Sequence, residues 1–298
     1  MNIIAKKVED ALTDVDELVR LTRANSADWT STSERIELGL TDNYWPVRHA
    51  WAKRTDFTPT PEQVERGLTD KEWGIRSAWA KRRDFTPTPQ QIERGLRDKN
   101  WCVRLEWAHR ADFTPTKRQV DRGIRDSDWN IRLIWAERTD FTPTMRQVKR
   151  GLSDRKEKVR CAWIKRMDSI PTAQQLRKGL KDMSPMVRCA WAKRMDFTPT
   201  LQQVKKGLLD KSSIVRRAWA ERTDCDIPHE LVESLSKDYS EDVVAACIKR
   251  VRMEWTDAQI QEGLLHPQKV IREAWEHVAR RQHAQSMSFS EDEFYPSV

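Results

Sequence analysis

Three basic pairs, Lys149-Arg150, Arg177-Lys178 and Lys205-Lys206, recur at 28-residue spacing in a 298-residue chain. At the same spacing earlier in the chain the pairs are mixed: Glu65-Arg66, Glu93-Arg94 and Asp121-Arg122. Losing the acidic member in three successive units turns a self-neutralised surface into a double column of like charge, and the chemistry of such a column is attraction of anions. Arg155, Lys156, Lys158, Lys181 and Lys211 extend it, and residues 140–223 carry +13 where the whole chain carries +8. The plainer alternative is a solvated face, the usual meaning of a charge run. A second column changes at the same boundary. Trp45, Trp73, Trp101 and Trp129 share one repeat position, where later units have Glu157, Pro185 and Ser213. Exposed, these indoles would anchor a partner's side chains or stack on bases. The plainer expectation is that they tuck against the preceding loop.

Residues suited to catalysis lack comparable order. His49, His109, His229, His266, His277 and His283 share no spacing, and none forms a metal-binding signature with Glu or Cys. Cys102, Cys161, Cys189, Cys225 and Cys247 contain no C-x-x-C pair, and no disulfide framework is expected. No glycine-rich phosphate loop occurs, and the aspartates recur in every unit, as capping requires and a unique acid–base site does not. The sequence therefore points to a binding protein rather than an enzyme, with no cofactor, no metal and no small-molecule substrate.

The spacing of 28 belongs to the whole chain. Asp-Phe-Thr-Pro-Thr stands at Asp56, Asp84, Asp112, Asp140 and Asp196, with weaker copies at Asp28, Asp168, Asp224 and Glu254. A strict period of this length specifies a solenoid, here about nine units over roughly residues 28 to 280. Each unit reads as two short helices. Thr60, Thr88, Thr116, Thr144, Thr172 and Thr200 are each followed three residues later by Gln, the spacing of a capping box. The first helix closes near a Gly such as Gly67, either as a left-handed C-cap or as a gap for a close neighbour. Asp42, Asp70, Asp98, Asp126, Asp154, Asp182, Asp210 and Asp238 read as N-caps of the second helix. That helix carries Val/Ile-Arg-x-Ala-Trp-Ala-x-Arg, so Ile75, Ala78, Trp79 and the stem of Arg82 share an inward face. Trp51, Trp79, Trp107, Trp135, Trp163, Trp191 and Trp219 form a buried ladder on this reading.

The Asp-x4-Val/Ile-Arg-x-Ala signature, as in Asp70 to Ala78 and Asp182 to Ala190, resembles HEAT-type repeats, and the added Thr-Pro segment resembles the leucine-rich repeat variant family. The resemblance implies a right-handed superhelix with a continuous core and a macromolecular partner. It also implies that Arg48, Arg76, Arg104, Arg132, Arg160, Arg188 and Arg216 form a ladder with the capping aspartates. The 28-residue period is shorter than most HEAT units, and the N-terminal cysteine cluster of some leucine-rich repeat variants is missing.

The expected architecture is thus all-α, a right-handed α-solenoid: an N-terminal capping helix over 1–27, the array over 28–280 and a disordered acidic–aromatic tail over 281–298. No apolar run approaches the ~20 residues of a membrane span, and a cytoplasmic location is expected. The leading functional expectation is a scaffold or adaptor whose basic and Trp columns meet an acidic protein surface. Nucleic acid, held through its phosphates, is the alternative, with a HEAT-like DNA glycosylase as its remote enzymatic form.

Overall fold

The computed structural model describes residues 13–26, 30–167, 170–250 and 255–292. All regular elements among them are α-helices, in two compact units, 1–151 and 152–298. In the first unit α1 (Glu17–Ala24) precedes the pairs α2 (Ser33–Leu40) and α3 (Trp45–Lys53), α4 (Pro61–Leu68) and α5 (Trp73–Lys81), α6 (Pro89–Gly95) and α7 (Trp101–Ala108), and α8 (Lys117–Gly123) and α9 (Trp129–Glu137), followed by α10 (Met145–Gly151). The second unit opens with α11 (Glu157–Arg166). It continues with α12 (Ala173–Gly179) and α13 (Pro185–Ala192), α14 (Leu201–Leu208) and α15 (Ser213–Ala220), α16 (His229–Ser236) and α17 (Glu241–Ile248), and α18 (Asp257–Leu264) and α19 (Lys269–Asp292). Both units are α-solenoid stacks. Within each, the second helices pack extensively on their counterparts in adjacent repeats, and each first helix packs on the second helix of its own repeat.

The first helices start where their sequence signals require. Thr60 accepts a hydrogen bond from the Gln63 N–H, while the Gln63 side chain accepts from the Thr60 N–H at 3.0 Å. The same reciprocal pair occurs at Thr88, Thr116, Thr144, Thr172, Thr200 and Thr256. The second helices begin differently from expectation. Asp70 is two residues upstream of the N-cap, Glu72, and accepts the Glu72 N–H at 2.9 Å, an Asx turn rather than a cap. Asp42, Asp98, Asp126, Asp154, Asp182, Asp210 and Asp238 do the same. The turn leaves the second carboxylate oxygen free for another donor, which the preceding repeat supplies: Arg48 grips Asp70 through Nε at 2.8 Å and Nη2 at 3.1 Å. Arg20–Asp42, Arg76–Asp98 and Arg104–Asp126 continue this ladder in the first unit, and Arg160–Asp182, Arg188–Asp210 and Arg216–Asp238 in the second.

The tryptophan ladder is buried, Trp51 through Trp219 being at most 2% exposed. Within each unit the indoles of Trp51, Trp79, Trp107, Trp135, Trp191 and Trp219 fill the space left by a glycine of the same repeat's first helix. A Cβ added at Gly67 would stand 2.1 Å from Trp79 Nε1, and the same is true of Gly123 and Trp135. Among the described residues no glycine has a positive φ, so the left-handed C-cap reading of Gly67 is excluded and the glycine serves close approach.

A second arginine ladder runs along the loops between repeats. Arg110 Nη1 donates to Ala80 O (3.0 Å) and Arg82 O (2.6 Å), Nη2 to Phe85 O (3.2 Å), and Nε to Asp112 Oδ1 (2.9 Å). Nη2 also meets Asp112 Oδ2, so all five N–H donors are used. The guanidinium lies over the Phe85 and Trp107 rings, 4.7 and 5.3 Å from their centroids. Arg82, Arg138 and Arg222 repeat the arrangement. The recurring Asp-Phe is therefore a clamp: Asp holds the arginine two residues before it, and Phe stacks on the arginine 25 residues after it.

At the chain ends, Ile3, Val8 and Leu12 of the expected cap and the repeat starts at Asp28, Asp168 and Glu254 lie outside the described residues. The helix α19 runs from Lys269 through Asp292.

Replacing Trp135 with Ala should cost ~3–5 kcal/mol by cavity formation, and Gly123→Ala about 1–3 kcal/mol or more because the Cβ collides with a rigid indole. Arg110→Lys should cost nearly as much as Arg110→Ala, since one ammonium cannot replace a five-donor fork. Denaturant unfolding measures all four; a near-neutral Arg110→Lys would refute the clamp.

Candidate functional site

On the surface of the first helices the early repeats are stitched together by a three-residue clip. Glu65 accepts from Gln91 Nε2 at 3.0 Å and pairs with Arg94 at 2.8 Å, both from the following repeat. Glu37 takes Gln63 and Arg66 at 2.7 Å each, and Glu93 takes Gln119 at 3.3 Å and Arg122 at 3.0 Å. The clip has a built-in orientation. The glutamine carbonyl is held by the capping-box threonine N–H, at 2.9 Å for Gln91 and Thr88, so the amide nitrogen must face the preceding repeat. Hydrogen bonds from Arg94 and Gln91 hold the Glu65 carboxyl below the usual range, and those from Gln63 and Arg66 do the same for Glu37. The sequence pattern contains the clip as Glu at one repeat and Gln-x-x-Arg at the next, but the connection across 26 residues is visible only in three dimensions.

The clip loses its acid in the basic repeats. Lys149 and Arg150, at the end of α10, are exposed in the first unit. In the second unit Arg177 and Lys178 on α12 and Lys205 and Lys206 on α14 are exposed, as are Lys181 and Lys211 in the turns that follow. Arg155, Lys156 and Lys158, at the start of α11, are exposed as well. Among the described residues, the six column residues of the three pairs make no ion pair; Lys178 Nζ donates to Ser153 Oγ at 3.1 Å. The candidates divide between the two units, Lys149 and Arg150 in the first and the remainder in the second. Within the second unit a groove of about 390 Å³ opens between α12 and α14, lined by Arg177, Lys181, Gln203 and Lys206 above a floor that includes Val215 and Trp219. Arg188 and Asp210 also line it, but they neutralise each other at 2.7 Å. Among the described residues, the three remaining cations make no ion pair.

The aromatic column corrects the plainer expectation. Trp45, Trp73 and Trp101 keep 47%, 48% and 44% of their surface exposed, and Trp129 is half-buried. Each opens a second helix directly after the Asp turn, where the outward direction of the first turn carries the ring away from the core. Trp45 makes an edge contact with His49, 6.2 Å between centroids. The row belongs to the first unit.

The five cysteines are free thiols. Burial pushes Cys247 up to about 11 and raises Cys161 and Cys189, which keeps these thiols protonated at neutral pH.

Comparison with known proteins supports the architecture. A solved structure described as a leucine-rich repeat variant with a novel repetitive protein structural motif superposes with a TM-score of 0.51, covering 73% of this chain and 82% of that one at 22% identity. The chain has a HEAT-like, leucine-rich-repeat-variant α-solenoid fold. Residues 201–218 also match the family of HEAT repeats associated with sister chromatid cohesion. These residues are α14 and most of α15, one first-helix and second-helix pair. No protein of curated function matches the chain. Among the described residues no helix is long and apolar enough to cross a membrane.

The ladder carboxylates make the solenoid acid-sensitive. Burial opposes ionisation of Asp98 and Asp210, but Arg76 with the Asn100 N–H, and Arg188 with the Ser212 N–H, together outweigh it and hold both below the usual range; Arg54 holds Asp56 down to about 2. A lowered folded pKa contributes stability that is complete above the unfolded value, near ~4, and is lost as pH falls through the folded value. The melting temperature should therefore drop between about pH 4 and pH 2, and Asp98→Asn should flatten that drop; thermal melts across this range measure both.

Proposed function

We propose that this chain is a non-catalytic α-solenoid scaffold or adaptor that engages an acidic macromolecular partner through the exposed basic residues of its later repeats. The observation that carries the reading is the replacement of Glu65, Glu93 and Asp121 by Lys149, Arg177 and Lys205 at one repeat position. In the early repeats that position serves the fold, tying first helices together through the clip. Exposed pairs of this kind are worth only ~0–1 kcal/mol, so the fold tolerates their loss at little cost. What the replacement supplies is a field of unpaired cations on solvent-facing helices.

The half-exposed Trp45, Trp73 and Trp101 give the first unit a surface of different character, suited to apolar anchors. A protein partner presenting both acidic and apolar groups uses both surfaces; a phosphate backbone uses the basic one alone. Nucleic acid is the second reading, supported by the same exposed cations.

The double variant Lys178→Glu, Lys206→Glu should fold normally and lose most affinity for a partner isolated with the native chain, and that partner should survive nuclease treatment. Full affinity in the folded double variant removes the basic face from the function. Loss of the partner on nuclease treatment, with log affinity for duplex DNA falling against log salt at about −0.9 per neutralised phosphate, would favour the nucleic-acid reading instead.

A further inference from the structure

We infer that the groove between α12 and α14 is a carboxylate-binding pocket that receives a Glu or Asp side chain of an acidic peptide, in the place that a carboxylate of the chain itself occupies in the early repeats. The inference deepens the scaffold reading by assigning the chemistry of one contact.

The early repeats supply the template. Glu65 Oε2 accepts from Gln91 Nε2 at 3.0 Å and its Oε1 lies 2.8 Å from Arg94 Nη1. In register, 112 residues later, stand Arg177, Gln203 and Lys206. The receiving half of the clip is conserved in kind: an amide donor and a cation one helical turn apart on the same helix face. Its orientation is conserved too. Gln203 Oε1 accepts the Thr200 N–H at 2.8 Å, inside the capping box. This bond fixes which way the amide points, so Nε2 is directed outward toward α12, as Gln91 Nε2 is directed toward Glu65. Only the acceptor has gone. Where Glu65 reached across, Arg177 stands, a third donor group in place of the carboxylate.

The consequence is a site where, among the described residues, Arg177, Lys181 and Lys206 make no ion pair. Gln203 Nε2, Lys206 and Arg177 all line the groove with Lys181 beside them, and the neutralised Arg188–Asp210 pair adds no net charge. The groove is floored by Val215, Leu180 and Trp219, so a charge entering it gains hydrogen bonds beside an apolar floor that partly withdraws it from water. A carboxylate on a flexible side chain matches the acceptor that a Gln amide and a neighbouring cation, there an arginine, hold at Glu37, Glu65 and Glu93. The Gln203 amide and the Lys206 ammonium receive its two oxygens, and Arg177 closes over them from α12.

The same template provides the decisive variant. Arg177→Glu restores the acid of the early repeats, and the new carboxylate should fold back onto Gln203 and Lys206, filling the pocket from within. The probe is a fluorescein-labelled hexaglutamate peptide, titrated by fluorescence anisotropy against the full chain. The expected result is a loss of affinity of at least about tenfold for Arg177→Glu, with a melting temperature equal to or above that of the wild type. Lys165→Glu, the same charge change on an exposed residue of α11 outside the groove, should weaken binding by no more than about twofold, a through-solvent effect at this ionic strength.

Equal losses for Arg177→Glu and Lys165→Glu would overturn the pocket while leaving a diffuse basic surface, and with it the scaffold reading, intact. So would unchanged binding by Arg177→Glu. A wild-type chain that ignores hexaglutamate but binds a hexathymidylate oligonucleotide, with Arg177→Glu abolishing that binding, would overturn the carboxylate assignment in favour of phosphate. A lowered melting temperature for Arg177→Glu would show that the Glu65 geometry is not reproduced here and would also refute the inference.

Discussion

The loop guanidinium typified by the fully buried Arg110 is the interaction on which the stack depends. A second helix of about two turns leaves its last carbonyls without intrahelical partners, and those at Ala80 and Arg82 end beneath the next repeat, where water cannot reach them. Arg110 satisfies both, reaches Phe85 O in the loop beyond and is itself neutralised by Asp112. Removing it would leave buried acceptors and an unpaired carboxylate together. The linkage is therefore directional: each repeat is completed by its successor. The unit that follows supplies the missing donors, which is why an array of this kind has no independent single repeat.

The hydrophobic part of the structure obeys the same logic at shorter range. Trp79 is the largest group each repeat must bury, and it reaches full burial only because the first helix of the same repeat omits a side chain at Gly67. A helix of eight residues with a glycine in its last turn is weak by propensity. The capping box and the indole compensate at its two ends. The Asp turn ahead of the second helix then aligns Asp70 so that it serves two partners, the Glu72 N–H and the Arg48 fork. Frame positions are thus saturated, and the free variables are the outward residues of the first helices and the first residue of the second.

Those free positions are where the chain changes. In the early repeats the outward pair still contributes to cohesion, through Glu65, Gln91 and Arg94. In the later repeats the glutamine and the cation persist while the acid is replaced by lysine or arginine, and the second residue of each pair is left exposed. Little stability separates the two arrangements, because the clip is solvent-exposed, but their electrostatic character is opposite. A surface that binds itself gives way to one whose cations are not engaged by neighbouring acids among the described residues.

The period, the pairing of short helices, the capping boxes and the buried indoles are all local properties, so the sequence determines them: a Thr three residues before Gln, or Trp on the apolar face of every second helix, needs no distant partner to be read. Asp70 shows where that legibility stops. Its type marks a helix start, but whether it caps the helix or turns the chain two residues earlier is decided by Arg48 of the preceding repeat, which requires a carboxylate held in that direction. The exposure of Trp45, Trp73 and Trp101 was likewise undecided in sequence, because burial of a ring in a turn depends on the neighbour's loop. The clips at Glu65 and the clamps at Arg110 join residues 25 to 30 positions apart. Their members stand in the sequence at fixed offsets, but only stacking one repeat on the next brings donor to acceptor, and only that stacking opens a groove at the position where Arg177 has taken the place of the acid.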